Sequence, residues 1–209
     1  VKNAISQLSE TSEYFDTNTP FKIVFTKGSE LLLNRQISEI LELLITEFNV
    51  VIKVSTSFPC LSGFEENYQS LLNMVKKYPS LIRLQGSLLS TCAEQREALV
   101  GKDVQLLSYD FVAEMCKQFV VAGGRMPTIS FTLGSGILVE ETEFSKYFSP
   151  YEVDIRLRAI IPNGINREYC FSEKSKAALE IYKIETTFSK NGYRIVPHSF
   201  EGQMENSIT

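Results

Sequence analysis

Strand-length apolar runs alternate with helix-length amphipathic stretches from Phe21 almost to the end of the chain. This alternation constrains the fold more than any other feature. A strand followed by a helix returns to the same sheet through a crossover, which makes the strands parallel. The chain therefore reads as an α/β protein with a mainly parallel sheet. Residues 21–25, 50–54, 81–89, 104–108, 128–132 and 153–161 are the expected strands, with a last one over 193–196. Apolar residues three and four apart predict the helices between them. One carries Leu33, Ile37, Ile40, Leu41, Leu44 and Phe48, and another Tyr68, Leu71, Leu72, Val75 and Tyr78. A third carries Val112, Met115, Cys116, Phe119 and Val120, and a last one Ala177, Ala178, Ile181, Ile184 and Phe188. A weaker helix is expected over 137–148.

Local signals set the expected boundaries. Ser62–Glu65 and Thr91–Glu94 have capping-box spacing, and Asp110 and Ser172 are candidate caps. Gly123-Gly124 should stop the third helix. Residues 1–16 read as the end of an amphipathic linker helix, residues 17–200 as an α/β ligand-binding domain, and residues 201–209 as a flexible tail. Two Rossmann-like lobes would divide near 86–103.

Composition excludes several classes of function. With 209 residues, 44% of them hydrophobic, the chain can bury a proper core. Its net charge is −4 and no basic stripe is visible along it, so a grip on DNA is expected only through a domain outside this chain. No apolar run is long enough for a membrane helix, and no signal peptide is visible. Cys60, Cys92, Cys116 and Cys170 are widely spaced and read as reduced thiols, which points to the cytoplasm.

Catalytic patterns are absent. The lone histidine, His198, lies near the C-terminus, a poor place for a triad base. There is no phosphate loop, no Gly-x-Gly-x-x-Gly fingerprint and no metal-ligand spacing. Glu65–Glu66 and Glu140–Glu141 are sequence neighbours and read as solvated. No catalytic residue, metal or cofactor is expected. What recurs is small polar residues where strands end: Lys27, Gly28 and Ser29 after the first, Thr56 and Ser57 after the second, Thr132 and Ser135 after the fifth. Ligands of open α/β sheets bind beyond such ends, where helix N-termini favour anions. These seven residues are the candidate site for a small polar or anionic molecule.

The order of elements resembles the effector-binding half of LysR-type transcriptional regulators, which has the type 2 periplasmic-binding fold. The likeness rests on Val1–Phe15 breaking into Phe21–Phe25, on the helix to Phe48 and the strand Val50–Val54, on Met115–Phe119 through Pro127–Ser135, and on Ile155–Ile161 with Phe171–Ala178. It implies a non-enzymatic sensor that binds a small-molecule effector and forms a homo-oligomer. Two alternatives stand beside it. One is a Rossmann-like enzyme acting on a nucleotide or sugar phosphate. The other is an interaction module anchored by Tyr147, Phe148 and Tyr151.

Overall fold

A computed structural model describes residues 20–25, 30–101, 103–160 and 169–197. The expected helix over 1–16, the loop residues Lys27, Gly28 and Ser29, His198 and the tail over 201–209 lie outside the described residues. The α/β reading holds. Five strands form one all-parallel sheet: β1 (Phe21–Phe25), β2 (Val50–Thr56), β3 (Ile82–Ser87), β4 (Thr128–Leu133) and β5 (Asp154–Ala159). Their spatial order is their sequence order. Strands β3 and β4, on either side of residues 86–103, pair directly with each other. Beyond β5, the last expected strand over 193–196 is reduced to an isolated parallel bridge between Ile195 and Ile155.

Sequential order has a physical consequence. Right-handed crossovers that always step in the same direction place every crossover on one face of the sheet. Helices α1 (Ile37–Glu47), α2 (Phe64–Lys77), α4 (Tyr109–Val121) and α6 (Lys174–Lys190) accordingly share one apolar core with alternate residues of the strands. Those strand residues include Ile52, Val54, Leu84, Ile129, Phe131, Ile155 and Leu157. The short helix α5 (Glu141–Phe144) adds Phe144, which stacks on Phe148 at 4.4 Å and meets Phe131, Phe188 and Tyr193 edge-on. Phe148 is thus core, and the anchor patch proposed from Tyr147, Phe148 and Tyr151 does not exist as a surface: Tyr151 is exposed while Phe148 is buried.

Several local expectations change. Residues 104–108 are no strand of the sheet. Leu106 forms an isolated antiparallel bridge with Pro59, and of this run only Leu107 is buried. That is too little apolar surface to hold a place inside a parallel sheet. The helix expected over 137–148 shrinks to α5, a single turn that includes Glu141 and Glu143. Gly63, not Ser62, takes the cap position of α2, and Thr91 caps nothing. Its hydroxyl instead accepts from the Glu140 backbone at 2.9 Å. Ser108 replaces Asp110 as the cap of α4, accepting from the Phe111 backbone. Gly123 does end α4, in a left-handed conformation at φ 96°. Among the described residues no helix is long and apolar enough to cross a membrane.

Candidate functional site

The second face of the sheet carries the chemistry. Strand side chains alternate between faces, so the residues between the apolar ones turn away from the helices together. Register aligns them across the sheet: Lys53 beside Arg83, Ser55 beside Gln85, Ser130 beside Arg156 and Thr132 beside Arg158. With Lys22 of β1, this face gathers five cations on four strands. None of the five pairs with a carboxylate in the ion pairs found among the described residues. The acidic residue on this face, Asp154, is 2% exposed and is engaged by Arg194, whose Nε donates to Oδ1 at 2.7 Å.

Gln85 organises the centre. Its Oε1 accepts from the Lys53 ammonium and, at 3.1 Å, from Arg156. Lys53 is 8% exposed and Gln85 6%. Burial first, and then the positive charge of Arg156, Lys22 and Arg158, bring the Lys53 ammonium down to about 7. Burial, followed by its cationic neighbours, likewise lowers Lys22. The Nε groups of Arg83, Arg156 and Arg158 are buried without a hydrogen-bond partner among the described residues. Unsatisfied buried donors are costly, each on the order of 1–3 kcal/mol. A face that keeps three of them, all cationic, is suited to an anion. A cavity of about 290 Å³ opens against the N-terminal half of this face, lined by Lys53, Arg83, Gln85, Arg125 and Arg156 among others.

At the carboxyl ends of β2 and β4, where the sequence places part of the site, most of the described candidates are engaged elsewhere. Thr56 is buried and its Oγ1 accepts from the Phe58 backbone at 2.9 Å, so it serves a turn. The Ser57 backbone donates to Glu30 Oε2 at 3.2 Å and its carbonyl accepts from Arg96. Arg96, on α3 (Ala93–Val100), is 4% exposed, caps the Leu107 carbonyl at 2.6 Å and lies 5.1 Å over the Tyr109 ring. Burial raises Glu30 above the usual carboxylate range. Thr132 does belong to the polar face, beside Arg158, whereas Ser135 is exposed and its backbone is tied to Tyr169 at 2.7 Å. Of the four candidates among the described residues, Thr56, Ser57, Thr132 and Ser135, Thr132 alone is placed with the cations.

The missed residues had a signal. Ile-Lys-Val, Ile-Arg-Leu-Gln and Ile-Arg-Leu-Arg each alternate apolar with basic or polar residues. Such alternation marks a strand covered by helices on one face only. The five cations are spread over four strands, so no basic run appears along the sequence, and pairing assembles them.

A singly wound, all-parallel sheet with helices on one face and a polar face opposite defines an α/β class distinct from a two-lobed sensor. A solved structure shares this fold, the radical SAM methyltransferase from Sphaerobacter thermophilus. The match has a TM-score of 0.62 and 16% identity, and covers 92% of this chain and 54% of that one. The chain thus spans about half the length of that methyltransferase. No family model matches the sequence. No curated protein matches it either. The fold match overturns the resemblance to LysR-type effector-binding domains. With that resemblance falls the expectation of a transcription-regulating sensor without enzymatic activity, which rested on it.

Proposed function

We propose that this chain is a domain of an enzyme whose substrate is a nucleotide or sugar phosphate held against the polar sheet face. One observation carries the reading: Lys22, Lys53, Arg83, Arg156 and Arg158 share that face without a carboxylate partner among the described residues. The fold shared with a methyltransferase supports enzymatic group transfer. A phosphoryl group offers the charge and the acceptors that these donors lack. Lys53, balanced near neutrality, can hold or release a proton beside the bound group. The exposed thiol of Cys60 and the buried thiol of Cys116 are free, which supports a reducing, cytoplasmic setting.

Radical chemistry on S-adenosylmethionine relies on an iron–sulfur cluster, and such clusters are held by cysteine thiolates. The described residues do not fit one. Cys116 is enclosed in α4, where burial pushes its thiol up to about 12. Cys92 lies beside Glu94 at the start of α3, and Cys60 is exposed after β2. No group of three or more histidine, cysteine or acidic side chains comes together among the described residues. No step of the proposed reaction is therefore routed through a cluster on this part of the chain.

The test is incubation with a mixture of nucleotides and sugar phosphates, with S-adenosylmethionine added in a parallel arm, followed by mass spectrometry. Conversion of a phosphorylated compound, lost in Lys53→Met, is expected. Conversion confined to unphosphorylated compounds, or none in either arm, overturns the reading.

A further inference from the structure

We infer that the cavity at the N-terminal half of the polar face is a binding site for two joined phosphoryl groups, a diphosphate, rather than for one. The inference rests on the phosphorylated-substrate reading and specifies where the phosphates sit.

Position is the first argument. The cavity lies among residues near the starts of the strands: Lys22 on β1, Arg83 on β3, Thr128 on β4 and Asp154 on β5. It is thus set apart from the carboxyl ends, where turns, Arg96 and Glu30 occupy the loops. Arg125, exposed in the loop before β4, reaches the same cavity from outside.

Charge is the second argument. Six cationic side chains line the cavity: Lys22, Lys53, Arg83, Arg125, Arg156 and Arg194. Asp154, the single carboxylate among the lining residues, is taken by Arg194. With that pair set aside, Lys22, Lys53, Arg83, Arg125 and Arg156 have no carboxylate partner among the described residues. A phosphate monoester carries roughly −1.5 to −2 near neutrality, less than half of what the wall presents. Two joined phosphoryl groups come closer to balance and offer acceptors to several guanidinium planes at once.

Size is the third. About 290 Å³ is at the small end for a site that would enclose a whole ligand, typically about 300–1,000 Å³. The volume suits the diphosphate itself, with the organic part extending along the face toward Ser130 and Thr132. The cavity is also built rather than superficial, since Lys53 and Gln85 are both more than nine-tenths buried at its base.

Titration calorimetry with inorganic pyrophosphate, orthophosphate, ADP and AMP tests the assignment at low salt. Pyrophosphate and ADP should bind at one site per chain, at least tenfold tighter than orthophosphate and AMP. ADP tighter than pyrophosphate assigns the site to nucleotide ligands, and equal affinity assigns it to the diphosphate alone; both support the inference. Lys53→Met should weaken pyrophosphate at least tenfold. Arg125→Ala, a change in an exposed loop that leaves the core untouched, should weaken it several-fold. Arg35→Ala, at an exposed position outside the cavity, should leave it unchanged.

Equal binding of pyrophosphate and orthophosphate overturns the inference while leaving the substrate reading intact. So does an unaltered affinity in Arg125→Ala together with Lys53→Met. A single-stranded oligonucleotide that binds tightly and is not displaced by pyrophosphate also overturns it, and would put a phosphodiester backbone on this face. Conversion of monophosphate substrates without pyrophosphate binding separates the failure of this inference from failure of the proposed function.

Discussion

Arg194 grips Asp154 with two prongs, Nε to Oδ1 at 2.7 Å and Nη2 to Oδ2, across the edge where the last segment of the chain joins β5. The same junction holds two backbone bonds, Ile155 N to Arg194 O at 2.9 Å and Val196 N to Ile155 O at 2.8 Å. The ion pair therefore does two things. It fastens the final parallel segment, and it spends the carboxylate that would otherwise neutralise the cationic face.

Asp154→Asn separates these roles. The buried acceptor loses its charge, and hydrogen bonds to charged groups are worth about 1.5–3 kcal/mol. Arg194 is largely exposed, so the lower part of that range is expected. Urea unfolding should show a loss of about 1–2 kcal/mol, with faster exchange at the Val196 amide. Anion affinity should rise, because a negative charge leaves the cavity wall. A variant as stable as the parent, or one that binds pyrophosphate less tightly, contradicts the account.

The pH dependence of stability follows from Lys53. In the unfolded chain this side chain regains its ordinary basicity, whereas the folded chain lets its proton go near 7. Above about 7 the unfolded state binds more protons, so this group's contribution improves as pH rises toward the ordinary lysine range. Below about 7 its full penalty is present. Lys22 is itself lowered, by burial first and then by its cationic neighbours Arg83, Arg156 and Arg158. Lys53→Met should therefore be most stabilising relative to the parent under mildly acidic conditions, and the advantage should shrink on moving to alkaline buffer. Parallel pH profiles of urea midpoints for the two proteins would rule this out.

How much of this was legible differs by level. The strand–helix alternation declared the α/β class, and most elements fall where periodicity predicts them. The strand misread at 104–108 shows the limit of propensity: β-branched and apolar residues were present, but the segment had no helix-covered face to bury them against. The site was harder to see. Lys53, Arg83 and Arg156 are about thirty or more residues apart, and they meet through sheet register rather than through any local motif. The alternation within each strand announced a polar face. The strand-end hydroxyls drew the site assignment instead, and among them Thr56 serves a turn.

The aromatic cluster that seals the helix face gives a second stability prediction. Phe144 contacts Phe131, Phe148, Phe188 and Tyr193, and so joins α5 to β4 and α6. It is 2% exposed. Phe144→Ala leaves a cavity that four rigid rings cannot refill, and such truncations cost about 3–5 kcal/mol. Phe144→Leu should recover more than half of that loss. Thermal unfolding of both variants checks the order, and an alanine variant within about 1 kcal/mol of the parent would mean that the cluster collapses freely.

Gly86 offers the last test, at a close approach in the core. It lies on the helix-facing side of β3, and a β-carbon built there would come within 2.3 Å of Phe58 Cε2 and 3.1 Å of Ile129 Cδ1. Phe58 cannot easily yield. It is fully buried, and its own backbone is held at φ 60°, a conformation that L-residues adopt at a cost. Gly86→Ala should therefore destabilise by about 1–3 kcal/mol, as overpacking does. Strand propensity alone would favour alanine over glycine, so the two arguments predict opposite signs. Pairing the change with Phe58→Leu removes the obstructing ring edge and should return part of the loss. A double-mutant cycle measured by urea denaturation reads that coupling directly. Strict additivity would show that the ring of Phe58 is not what excludes a side chain at this position.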